Sequence, residues 1–262
     1  MSVATAEGAQ IYYEVHGEGP AVVFIHGSGG HHAAWWQQIP YFRTNYSVVT
    51  LDLRGFGRSC ADQDEYDSLE FPGDILAVLD DAGLDRSVLV GQSIGAAAAL
   101  KLAVRHPDRV AGLVLAHSLG GLDHPELTEL VRADRVQAEK LPVMDRLMSK
   151  EFQREQPEKS FLFRQMGTFN RAKMQDLRNL TAGGPTLDTV ARAGVRVCFL
   201  AGENDAVITP PTIQRAHELV DGSVLALVPN APHSMYWEGA GAVQPGGRTV
   251  PPDRLPMTER TP

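Results

Sequence analysis

Gly91-Gln92-Ser93-Ile94-Gly95 joins the β-rich run VLV to the strong helix former AAAALKLA. A GxSxG at a strand-to-helix turn is a nucleophile elbow. The bend is so sharp that the serine takes a strained backbone conformation, the flanking glycines remove clashes, and the hydroxyl projects above the sheet. The alternative for the same letters is a plain helix start with Ser93 as N-cap. Attack of a hydroxyl on a carbonyl also needs donors for the oxygen that turns negative, and a glycine-rich loop can aim backbone N–H groups inward without steric cost. His26-Gly27-Ser28-Gly29-Gly30 follows the apolar run AVVFI and has that character. The N–H groups of Ser28 and Ile94 are the candidate oxyanion donors, with Gly29 as a fallback, and Gly27 and Gly29 are candidate substrate contacts. His26 reads as a brace of the loop.

A serine nucleophile needs a base and an orienting acid, and in the order Ser, acid, His both fall downstream near strand ends. FLAGENDAVITP places Asp205 just past an apolar run, with Glu203 as the alternative acid, and LVPNAPHSMYWE places His233 after the last strand-like run. His117, which follows another strand-like run, is the rival base. His217 falls within a helix, and His16, His31, His32, His106 and His124 lie in loop or surface contexts where solvation is the default expectation. No cofactor and no metal is expected.

The elements that must position these residues alternate. Strands are expected over residues 10–15, 21–25, 47–51, 87–90, 110–115, 195–201 and 223–228. Helices are expected near residues 33–39, 68–82, 94–105 and 210–220. Such alternation argues for an α/β fold with a mostly parallel sheet covered on both faces. Residues 119–184 break the pattern: they are charged, Met-containing and helical, and read as an inserted helical cap between core segments 1–118 and 185–238. Leu147, Phe161, Phe163 and Met166 are candidate substrate-lining residues from that cap. The last 25 residues carry five Pro and four Gly, so residues 239–262 read as an irregular tail.

Composition narrows the function classes. At 262 residues the chain can bury a core without disulfides, and 43% hydrophobic with 21% charged residues is an ordinary globular balance. With 24 basic and 32 acidic side chains the formal charge is -8, which would repel a phosphate backbone. No nucleic-acid or membrane partner is expected; a small-molecule substrate is, and a homodimer stays open. The N-terminus MSVATAEGAQ has no basic-then-apolar export pattern, and the two cysteines, Cys60 and Cys198, suit a reducing cytoplasm, with Cys198 a small buried hydrophobe.

Taken together, the HGSGG loop, Asp52-Leu53-Arg54-Gly55-Phe56-Gly57-Arg58-Ser59, the GQSIG elbow, HPDRVAGLVLAHS, GENDAVITP and APHSMYWE make the chain resemble the alpha/beta-hydrolase superfamily over residues 10–238. The resemblance implies a triad of Ser93, Asp205 and His233, oxyanion donors on Ser28 and Ile94, and hydrolysis of a carboxylic ester or lactone. Gly55 to Ser59 also fits GxGxS, but in this family that run is a loop without a nucleophile. The HxxxWE ending resembles carbon–carbon hydrolases of dienoic ring-fission products, although those place Trp directly after the histidine and Ser234 stands here. Perhydrolysis, or a ligand-binding receptor on the same fold, are further alternatives. One departure is plain: the family's closing helix after the histidine is replaced by a Gly/Pro-rich run.

Overall fold

The computed structural model describes residues 2–239. Among these residues nine strands form one sheet, β1 (Ser2–Ala6), β2 (Ala9–His16), β3 (Ala21–Ile25), β4 (Ser47–Leu51), β5 (Cys60–Ala61), β6 (Ser87–Gln92), β7 (Val110–Ala116), β8 (Val197–Gly202) and β9 (Val224–Val228). The order is β1-β2-β4-β3-β6-β7-β8-β9, with β5 paired to β2. The first two strands are an antiparallel hairpin packed antiparallel on β4, while β3, β4, β6, β7, β8 and β9 run parallel. β4 lies on one side of β3 and β6 on the other, so the loops leaving β3 and β6 diverge at a topological switch point, where open α/β sheets form their crevices.

Among the described residues ten α-helices accompany the sheet: α1 (Gln38–Phe42), α2 (Phe71–Asp81), α3 (Ile94–Arg105), α4 (Pro125–Ala138), α5 (Val143–Leu147), α6 (Lys150–Glu155), α7 (Pro157–Met166), α8 (Leu187–Ala193), α9 (Pro210–Leu219) and α10 (Met235–Glu238). The sheet's two faces follow the period of two in its strands. Val23, Ile25, Val49, Leu51, Leu89 and Leu115 join the side chains of α2, α3 and α9 in one core. Val22, Phe24, Val48, Val88 and Val90 face the opposite way, onto Trp35, Phe42, Met148, Phe152 and Trp237. Burial on both faces explains why β3 and β6 read as unbroken apolar runs.

Several expectations shift. The helix expected near residues 33–39 is a single 3-10 turn at His32–Trp35 followed by α1, and Pro40 lies within the first turn of α1, where its missing N–H has no intrahelical partner to lose. α2 begins at Phe71, with Pro72 in its first turn, and not at residue 68. β1, β5, α8 and α10 add to the expected elements. α8 has ordinary stops that were too closely spaced to read: the Thr186 side chain accepts from Thr189 N–H, and Gly194 closes the helix at φ 63°. Residues 119–184 hold α4 to α7, as the helical pattern predicts. The tail expectation lies outside the described residues from residue 240 onward, but α10 reaches Glu238 and buries Met235 and Trp237 against the sheet. None of the described helices is long and apolar enough to cross a membrane.

A buried ion pair secures the loop after β4. Arg54 Nε and Nη2 reach Asp74 of α2 at 2.9 and 2.6 Å, and Nη2 also donates to Glu7 O at 3.0 Å. Ser59 is a bracket in the same loop, since its hydroxyl donates to Asp52 O at 2.6 Å and accepts Tyr12 N–H at 2.8 Å.

Candidate active site

β6 ends in Gln92 and α3 begins at Ile94, which leaves Ser93 alone to make the turn, with φ 52° and ψ -115°. Its N–H donates to Ala116 O at 3.0 Å, and its hydroxyl does not cap the helix. Both glycines of the motif are required by close approach. A Cβ on Gly95 would stand 2.5 Å from Ile25 O, and one on Gly91 2.5 Å from Gly95 O. The chain therefore holds Ser93 in a backbone region that side chains disfavour, half-exposed at the carboxyl end of the central strand.

The loop after β3 closes a turn through Gly30 N–H on Gly27 O at 3.0 Å. His26 braces it as expected: Nδ1 donates to Gly27 O at 2.7 Å and Nε2 accepts Leu53 N–H at 3.0 Å. Burial pushes the His26 imidazole down to about 4, which leaves it neutral. Gly27 lies flush against the elbow, because a Cβ there would strike the Gln92 side chain and come within 3.2 Å of Ser93 Cβ. Ser28 is half-exposed and Gly29 exposed at the same lip. Ser28 and Ile94 thus belong to the two backbone segments that meet at Ser93.

Asp205 and His233 come together from the loops after β8 and β9. His233 Nδ1 lies 3.0 Å from both Asp205 carboxylate oxygens. Asp205 Oδ1 also accepts the N–H groups of Val207 and Ile208 at 2.8 and 3.1 Å. Burial alone would raise the Asp205 carboxyl, but the His233 and His117 rings outweigh it and hold it well below the usual carboxylate range. Glu203 is exposed, whereas Asp205 is buried. Because a carboxylate only accepts, His233 carries its proton on Nδ1 and leaves Nε2 as a lone pair. That lone pair receives Gln92 Nε2 at 3.3 Å, one residue before Ser93. His117, the rival base, is buried in the same cluster with Nδ1 2.8 Å from Asp205 Oδ2.

The segment behind His233 is clamped from several sides. Ser234 N–H donates to Leu147 O at 2.9 Å, Trp237 Nε1 to Lys159 O at 3.2 Å, and Ser149 N–H to Glu238 Oε2 at 2.9 Å. Gln37 and Gln38 side chains donate to Trp237 O at 2.6 Å and Tyr236 O at 2.9 Å. Of the expected lining residues, Leu147 is half-buried beside this segment and Met166 is buried in the Trp237 cluster, with Phe163 edge-on to Trp237 at 5.5 Å. Phe161 departs from expectation: it is 57% exposed, on the solvent side of α7. His31 also departs, being buried and not solvated. His31, His32 and Asp52 draw close, and Asp52 is engaged by His32 Nδ1 and by Arg58 N–H, each at 2.8 Å, in bracing the loop after β4. Spacing alone does not disclose the Gln92 amide or the His117–Asp205 pair, since both depend on side-chain direction across the sheet edge.

The profile of the alpha/beta hydrolase fold family matches residues 20–240, and the chain belongs to that family. Among curated relatives, RutD of Caulobacter vibrioides, named for carbamate hydrolysis, is 37% identical over 121 residues, which is 44% of each chain. The chain thus spans under half the length of the curated relatives it matches. Among solved structures, a thermophilic esterase from Thermogutta terrifontis superposes with a TM-score of 0.77 at 23% identity, covering 92% of this chain and 94% of that one. Est816, described as an N-acyl homoserine lactone degrading enzyme, has a TM-score of 0.74 at 26% identity over 91% and 96%.

Proposed function

We propose that this chain is a serine hydrolase that cleaves a small carboxylic ester or lactone through an acyl-enzyme on Ser93. The observation that carries the reading is the strained Ser93 at the switch point, with a His233 already oriented by a buried Asp205 and presenting Nε2 beside the elbow. His233 Nε2 takes the Ser93 proton as the hydroxyl oxygen attacks the substrate carbonyl, and the Gln92 amide gives up that nitrogen in the same movement. Asp205 holds the tautomer and stabilises the imidazolium. Backbone N–H groups of Ser28 and Ile94 receive the oxyanion. The imidazolium then protonates the departing alcohol, and water, deprotonated by His233, releases the acid. Gly27 and Gly29 border the acyl group, while Leu147, Phe163 and Met166 of the inserted helices, acting as a cap, give the pocket its apolar side. The N-acyl homoserine lactone degrading enzyme among the fold's solved neighbours supports this class of bond.

Turnover of p-nitrophenyl acetate and γ-butyrolactone tests the proposal. Ser93→Ala is expected to lower kcat by about 10⁵-fold or more, as loss of a triad serine does elsewhere. Cys198→Ala is expected to keep the rate, since the buried Cys198 thiol is pushed up to about 12 and supplies no thiolate. A fluorophosphonate that leaves Ser93 unmodified on the folded protein overturns the assignment. Turnover of a dienoic ring-fission product with no turnover of esters or lactones replaces the bond class with carbon–carbon cleavage.

A further inference from the structure

His117 has no task in the scheme above, yet it is joined to it. Its backbone lies in the left-handed region at φ 54°, and its N–H donates to Leu200 O at 2.8 Å. The ring is buried, Nδ1 is 2.8 Å from Asp205 Oδ2, and Nε2 has no hydrogen-bond partner among the described residues. Since Asp205 only accepts, the proton sits on Nδ1. An imidazolium would have to direct a second N–H where the described residues offer no acceptor, and burial, against the pull of Asp205, keeps the ring below the ordinary histidine range. Asp205 Oδ2 therefore takes N–H groups from two rings, His117 and His233, which meet edge-on with centroids 5.2 Å apart. Among the described residues, these two rings are the ionisable groups that act most strongly on the carboxylate.

We propose that His117 is a positioning residue for the base: it clamps Asp205 Oδ2 and, by sharing that oxygen, limits how strongly Asp205 holds the His233 imidazolium. The physical basis is that each donor to a carboxylate in a dry site neutralises part of the charge available to the next. Removing the His117 donor leaves more of that charge on His233, so His233 becomes more basic and loses its free lone pair at a higher pH. The proposal rests on the reading of His233 as base.

His117→Asn keeps an N–H donor and suits a left-handed backbone, His117→Leu fills the space without a donor, and His117→Gly removes the donor without backbone strain should the Leu variant not fold. Two measurements run side by side: the pH dependence of kcat/KM for p-nitrophenyl acetate, and an NMR titration of ¹⁵N-labelled His233. Wild type and His117→Asn are expected to share one acid limb. The donorless variants are expected to move it upward by about 0.5 to 1 pH unit, with KM unchanged and an equal displacement in the NMR titration. Donorless variants that titrate with the wild type in both measurements overturn the proposal. Should the wild type turn over no ester while the NMR shift appears, the coupling stands and the hydrolase reading falls; ester turnover with an unmoved titration does the reverse.

Discussion

Asp205 carries the heaviest electrostatic demand of any side chain at the site. It is buried, it stays ionised because two rings and two backbone N–H groups point at it, and its geometry fixes which nitrogen of His233 is free. Asp205→Asn removes the charge while nearly conserving shape, and it lets the amide present a donor to His233 Nδ1, which favours the wrong tautomer. We expect kcat for ester turnover to fall by about 10⁴-fold with KM little changed, measured by steady-state kinetics with active-site titration. At this scale the letters are informative where chemistry is local: the glycines around Ser93 and the brace at His26 follow from what a tight turn and a glycine loop require. They place His117 at a strand end but do not disclose the partners that it and Gln92 take. A residue's number along a strand says that it reaches the carboxyl edge, but not which neighbour from another loop its side chain will meet.

At the level of elements, the β6–α3 unit sets two rules against each other. Helix propensity alone makes Ala better than Gly by about 1 kcal/mol in a helix. Gly95, however, leaves no room, as a Cβ would sit 2.5 Å from Ile25 O and 2.6 Å from His26 O, both backbone atoms that cannot swing aside. Packing wins, and Gly95→Ala is expected to destabilise the protein by about 2 kcal/mol in urea unfolding, with a slower Ser93 reaction because α3 is pushed off β3. The Arg54–Asp74 pair makes a second prediction. Arg54→Met leaves a buried carboxylate without its partner and should cost about 3 to 5 kcal/mol in the same assay. The parallel strands and α3 are legible because they are long apolar or alanine-rich runs with clear stops. β1 is not, since SVATA buries little more than Ala4, and α10 is not, since four residues have no period.

The whole molecule carries buried neutral imidazoles, and these set its tolerance of acid. An unfolded chain protonates His26 near its ordinary value of 6.5, while the folded protein refuses that proton until about 4. Between those limits the unfolded state binds more protons, so stability falls as pH falls, by on the order of 3 kcal/mol for His26 across the window. His117 and His31, lowered by burial, act in the same direction. Asp205, whose folded carboxyl is depressed, adds its own loss only below the ordinary carboxylate range. Urea melts at pH 7 and pH 5 should show the decline, and His26→Gln should make it shallower; equal midpoints at the two pH values would contradict it.

The stretch just past His233 hangs from the inserted helices through Leu147, Ser149 and Lys159. A displacement of those helices would therefore tug on the imidazole's own mooring. Under the proposed reaction, uptake and proton-acceptor alignment would then share a single mechanical coordinate, so that a half-admitted guest, or a stray water, would meet a base that is out of tune.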